Sequence, residues 1–144
     1  MMTRLLDGYW HPSQVKVELA MYLERSRVLV VDDFLDNLFM LQIVLEEEGY
    51  EVELAESGRS ALAKIFASPP NLVLLDVMMP QMNGIEVTRS IREHEQLATL
   101  PIVLVTAYEE EFVEQGLLAG ANDWMRKPVN FPELLEKVQG FCRV

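Results

Sequence analysis

From Arg27 onward, short apolar runs alternate with segments of helical periodicity, and the alternation repeats five times. Val28–Val31, Asn71–Leu75 and Ile102–Val105 are continuous apolar runs rich in β-branched residues and leucine. They lack the apolar–polar alternation of a strand with one wet face. Such runs are strands covered on both sides, the signature of a parallel sheet. Glu51–Leu54 does alternate, which places it nearer a sheet edge. Asp123–Met125 is a short fifth strand.

The helical segments lie between the strands. Leu35, Leu38, Leu41, Gln42 and Leu45 recur at helical spacing, and Gly49 is a C-terminal stop. Ser57–Phe66 places Ala61, Leu62, Ile65 and Phe66 inward, and Ser68-Pro69-Pro70 breaks it. Gly84–His94 carries Ile85, Val87, Thr88 and Ile91. Glu109–Leu118 is acidic and closes at Gly120. A last helix, capped by Asn130 with Glu133 and carrying Pro132 in its first turn, runs through Phe141. Strand–helix order repeated five times implies right-handed crossovers and helices on both faces of one parallel sheet. The 144 residues, half of them hydrophobic, suit one domain with a substantial core.

Residues 1–26 stand outside this repeat. Ser13 is a candidate cap for a helix from Gln14 to Arg25, with Val15, Leu19, Tyr22 and Leu23 on one face. The stretch also alternates as a strand would. Its good helix formers, Glu18, Leu19, Ala20, Met21, Leu23 and Glu24, favour the helix. The segment reads as an N-terminal extension, and 27–144 as the domain.

The formal net charge of −11 disfavours direct binding to a phosphate backbone. One cysteine, Cys142, excludes an internal disulfide and suits a reducing compartment. No apolar run approaches a membrane span, and the first residues lack the apolar stretch of a signal peptide. The expected location is therefore the cytoplasm.

Polar residues fall at the strand ends. Asp32-Asp33 follows the first run, Asp76 the central one and Thr106 the one after it, and Lys127-Pro128 follows the short last strand. In a parallel sheet these positions converge on one edge, where open α/β folds bind their ligands. Carboxylates, a hydroxyl and an ammonium form the donor set of a Mg2+-assisted aspartyl-phosphate site. Asp33 is also a candidate cap for the helix beginning near Phe34.

In order and spacing, Asp32-Asp33, Asn37, Leu41, Leu45, Gly49, Asp76, Met79-Pro80, Gly84, Thr106-Ala107, Gly120-Ala121 and Lys127-Pro128 resemble the response-regulator receiver domains of two-component signalling. The resemblance covers the chain from about Arg27 to its end. It implies a doubly wound five-stranded parallel sheet of flavodoxin-like type, with helices on both faces. It further implies Asp76 as phosphoacceptor, with Lys127 pairing the phosphoryl group after a cis peptide to Pro128. Asp32, Asp33, Asp76 and the backbone carbonyl of Met78 would hold Mg2+. Thr106 and Trp124 would form the switch, Trp124 standing where the family usually has Tyr or Phe. The implied donor is a sensor histidine kinase or phosphotransfer protein, acting ahead of an output partner the sequence does not name. A homodimer is a further possibility. On this reading the chain catalyses only its own phosphorylation and dephosphorylation.

Two other classes compete. A phosphatase with an aspartyl-phosphate intermediate, of the dehalogenase-like kind, carries a second Asp two residues after the nucleophile; here Met78 stands there. An interaction module independent of phosphate would not need Asp32, Asp33, Asp76, Thr106 and Lys127 together.

Overall fold

A computed structural model describes residues 12–16, 25–107 and 109–142. Five parallel strands form one sheet: β1 (Arg27–Val31), β2 (Glu51–Ala55), β3 (Leu72–Asp76), β4 (Ile102–Thr106) and β5 (Asp123–Arg126). Their order is β2-β1-β3-β4-β5. The alternating strand, β2, is indeed an edge. The connecting helices are α1 (Leu35–Glu47), α2 (Gly58–Ala67), α3 (Gly84–Arg92), α4 (Glu110–Ala119) and α5 (Phe131–Phe141), with a single 3-10 turn at Glu95–Leu97.

Strand pleating divides the core into two layers. Val28, Val30, Leu72, Leu74, Val103, Val105 and Met125 pack with Leu38, Leu41 and Leu45 of α1 and Leu134 and Val138 of α5. Leu29, Val31, Val73, Leu75, Ile102 and Leu104 pack on the other face with Ala61 and Ile65 of α2 and Ile85, Val87 and Ile91 of α3. Every residue of β3 and β4 is buried. The continuous apolar runs thus serve both layers at once. Burial also pushes the Cys142 thiol up to about 11, which leaves it a core side chain with little thiolate at neutral pH.

Local signals fix the helix ends. Ser57 accepts from the Ser60 N–H at α2. Asn83 and Glu86 form a reciprocal capping box at α3. Asn130 accepts from the Glu133 N–H at α5. Gly49 and Gly120 take positive φ where α1 and α4 stop.

Three sequence expectations change. Asp33 does not cap α1; Asp32 Oδ1 accepts from the Phe34 N–H at 2.9 Å, because the end of β1 aims Asp32 across the helix start. Phe66 is not inward. The buried stripe of α2 is narrow, and Phe66 lies on its flank with its ring 4.5 Å from that of His94. Leu35 is exposed as well, and with Phe34, Phe39, Met40 and Ile43 it leaves one side of α1 apolar toward solvent.

In the N-terminal extension, residues 12–16 are helical, so Ser13 lies within a helical segment rather than ahead of it as a cap. Leu19, Tyr22 and Leu23 lie outside the described residues. No helix among the described residues is long and apolar enough to cross a membrane.

Candidate functional site

The chain runs from β1 outward to β2, then returns past β1 to β3. That reversal opens a crevice at the carboxyl ends of β1 and β3. Asp32 follows β1 directly, and Asp76 is the last residue of β3. Both are almost fully buried, whereas Asp33 is exposed. One carboxylate oxygen from each of Asp32, Asp33 and Asp76 lies within 4.8 Å of the others.

The opposite charge comes from β5. The Lys127 N–H donates to the Thr106 carbonyl at 2.7 Å, which ties the residue after β5 to the end of β4. Its Nζ then reaches Asp32 Oδ2 at 3.1 Å and Asp76 Oδ1 at 3.2 Å. The peptide to Pro128 is cis. Thr106 is buried at the end of β4, one residue beyond the register partner of Asp76. Trp124 pairs with Leu104 in register and is half-buried against the layer beneath α2 and α3.

Asp32 is held from two further directions: the Phe34 N–H meets Oδ1, and the Asn37 side-chain amide meets Oδ2 at 3.1 Å. The sequence pattern marks Asn37 as a matched position without assigning it a partner, because its bond to Asp32 depends on how α1 is rotated. The Met78 N–H donates to the Asp76 carboxylate, while the Met78 side chain is exposed.

Behind Asp76 the chain turns sharply and returns into α3. The Gly84 N–H donates to the Val77 carbonyl at 2.9 Å. A Cβ on Gly84 would stand 2.4 Å from the Asp76 carbonyl oxygen. Close approach of backbone, rather than positive φ, is what requires glycine there.

The electrostatics follow from this crowding. Burial raises the Asp76 pKa first, and the Asp32 charge adds to it. Lys127 and the Met78 N–H act in the opposite direction, and the balance stands at about 6 against the ordinary 3.8. For Lys127, burial acts downward, but the Asp76 and Asp32 carboxylates outweigh it and its pKa ends above the ordinary value. At an effective dielectric near 20, two carboxylates this close repel by about 3–4 kcal/mol. Three carboxylates face one ammonium, so negative charge outweighs positive, and all ligand atoms at the acidic end are hard oxygens. That chemistry fits a small divalent cation, and Mg2+ above softer metals.

The raised Asp76 pKa makes stability pH-dependent, with a definite sign. The unfolded carboxyl ionises near 3.8 and the folded one near 6. Below 3.8 both are neutral, so the shift costs nothing. Between 3.8 and 6 the unfolded chain ionises ahead of the folded one, so stability falls as pH rises through that window, by at most about 3 kcal/mol in the absence of metal. Asp76→Asn should therefore be more stable than wild type at pH 8 in chelator, by about 1–3 kcal/mol. The difference should shrink as pH falls from 6 and close below the ordinary 3.8. Chemical denaturation of both proteins at pH 8 and at a pH below 3.8 reads this directly.

The comparisons with known proteins agree with this fold. A family model described as the response regulator receiver domain matches residues 28–139. The alkaline phosphatase synthesis transcriptional regulatory protein PhoP of Bacillus subtilis is 40% identical over 119 residues, which cover 82% of this chain and 49% of PhoP. The chain thus spans about half the length of that relative. The chemotaxis protein CheY4 of Vibrio cholerae matches in structure with a TM-score of 0.77 at 36% identity, over 81% of this chain and 98% of CheY4. The response regulator TrrA of Thermotoga maritima, solved in complex with Mg2+ and BeF, matches with a TM-score of 0.73 at 40% identity, over 81% and 98% of the two chains. By its fold, by the acidic cluster at its sheet edge and by a family match over most of its length, this chain belongs to the response regulator receiver domains of two-component signalling.

Proposed function

We propose that Asp76 accepts a phosphoryl group from a phosphohistidine of a sensor kinase or phosphotransfer protein, and that the domain then changes its partner-binding face. One observation carries the assignment. Asp76 ends the central strand with two other carboxylates within 4.8 Å and the Lys127 ammonium at 3.2 Å. A carboxylate oxygen of Asp76 forms the new O–P bond as the donor's N–P bond breaks, and the electron pair leaves with the imidazole. The residues that would hold Mg2+ are Asp32, Asp33, Asp76 and the Met78 carbonyl. When bound, the ion supplies charge neutralisation for the carboxylates and the phosphoryl oxygens. Lys127 lies between Asp32 and Asp76, so a small movement lets it pair with a phosphoryl oxygen on Asp76.

The wider role rests on the family. Response regulators work with histidine kinases or phosphotransfer proteins upstream and with output domains or partners downstream. This domain acts as a signalling element, promoting its own phosphorylation and dephosphorylation without turning over an external substrate.

Incubation with acetyl phosphate and Mg2+ followed by intact-mass measurement should yield one phosphoryl adduct. Asp76→Asn should yield none, and neither should wild type in excess chelator. Undiminished labelling of Asp76→Asn would overturn the assignment.

We further assign the switch to Thr106 and Trp124. Thr106 ends the strand next to β3, one residue beyond the register partner of Asp76, and Trp124 packs on the α3 side of β5 next to the strand that Thr106 ends. A phosphoryl oxygen draws the Thr106 hydroxyl inward, which frees space near the start of α4 for the indole to move. Beryllofluoride with Mg2+ should change Trp124 emission in a Trp10→Phe background. The change should vanish in Thr106→Ala although the ligand still binds. An equal response in that variant would mean that Trp124 senses the ligand without Thr106.

A further inference from the structure

Asp32 is held by more donors than a metal ligand needs, and the donors differ in kind. Oδ1 accepts from the Phe34 N–H at 2.9 Å. Oδ2 accepts from both the Asn37 amide and the Lys127 ammonium, each at 3.1 Å. Lys127 serves a second carboxylate, Asp76 Oδ1, at 3.2 Å.

The two donors on Oδ2 have different freedom. Lys127 sits on a long side chain that is partly exposed. Its ammonium is a point charge that can move from one oxygen to another. Asn37 sits in the first turns of α1, beside Leu38 and ahead of Leu41, both buried in the core. Core packing fixes the rotation of α1, so the short Asn37 side chain delivers its amide to one place. If Lys127 leaves Asp32 for a phosphoryl oxygen, Asn37 and the Phe34 N–H are the donors that remain.

The residue type matters as well. A Lys or Arg at position 37 would add positive charge and compete with a cation for Asp32. An Asp or Glu would add a fourth negative charge to the cluster. A neutral amide donor orients the carboxylate and leaves the charge balance unchanged. Donors of this sort, one step behind the ligands of a metal, typically alter its affinity by 10–100-fold when removed.

We propose that Asn37 is a positioning residue that holds Asp32 in its metal-binding orientation independently of Lys127, so that Lys127 is free to follow the phosphoryl group. The inference rests on the reading of Asp32 and Asp33 as a Mg2+ pair. It assigns Asn37 no contact with the metal or the phosphoryl group.

The test uses the full chain, with Mg2+ alone as the probe and titration calorimetry as the readout. Asn37→Leu removes the donor while keeping the branched side-chain shape, and Asn37→Ala serves if the leucine variant does not fold. Either should bind Mg2+ about tenfold more weakly than the parent, at a temperature where circular dichroism shows both fully folded. The slower labelling by acetyl phosphate should recover to the parental rate at saturating Mg2+. Lys127→Ala, which removes the group that follows the phosphoryl, should stay slow at any Mg2+ concentration. A Mg2+ affinity within twofold of the parent would overturn the positioning role. So would a labelling deficit that persists at saturating Mg2+. Absence of Mg2+ binding by the parent itself would instead overturn the reading of the acidic pair, so the two failures are distinguishable.

Discussion

Mutual repulsion among Asp32, Asp33 and Asp76 is the constraint around which the domain is organised. Three carboxylates within 4.8 Å would separate in a flexible chain. They stay together because two of them are fixed to the ends of strands whose residues are almost wholly buried. Stability stored in two apolar layers is thereby converted into a local concentration of negative charge. Lys127 offsets part of that charge; burial first, and the Asp32 charge after it, still hold the Asp76 pKa above its ordinary value.

The surrounding residues serve the same arrangement. Parallel topology with a reversal between β1 and β3 places the two strand ends side by side. The loop behind Asp76 must then pass close to the strand it leaves, which restricts position 84 to glycine. The capping box of Asn83 and Glu86 starts α3 at that point and directs the chain away from the crevice. Asp32 acts in two ways, as a member of the cluster and as acceptor for the first N–H leading into α1. A site this crowded leaves few free variables, so a single ammonium and a single amide can decide how its carboxylates point.

Much of this was legible in the sequence, for a physical reason. Strands buried on both faces must be apolar throughout, and in a parallel sheet the residue that ends such a run must sit at the ligand edge. Asp32, Asp76, Thr106 and Lys127 could therefore be placed together from spacing alone. Helix faces were less legible. Phe66 and Leu35 satisfy helical spacing, yet the stripe that packs on a sheet is narrower than the spacing allows, and both side chains remain exposed. At the start of α1 it is Asp32, not Asp33, that accepts the Phe34 N–H; the two are chemically identical, and only the direction of the strand end decides between them. The bond from Asn37 to Asp32 was hidden for a related reason: it depends on the rotation of α1, which the buried leucines set together and no single residue announces.

The most direct test of the central claim is the titration of the Asp76 carboxyl carbon by NMR, in metal-free protein and again at saturating Mg2+. A carboxyl crowded by burial and by Asp32 should titrate near 6 without metal. It should fall by more than one pH unit when the cation supplies the missing charge. A midpoint at the ordinary 3.8 in metal-free protein, unmoved by Mg2+, would contradict the account.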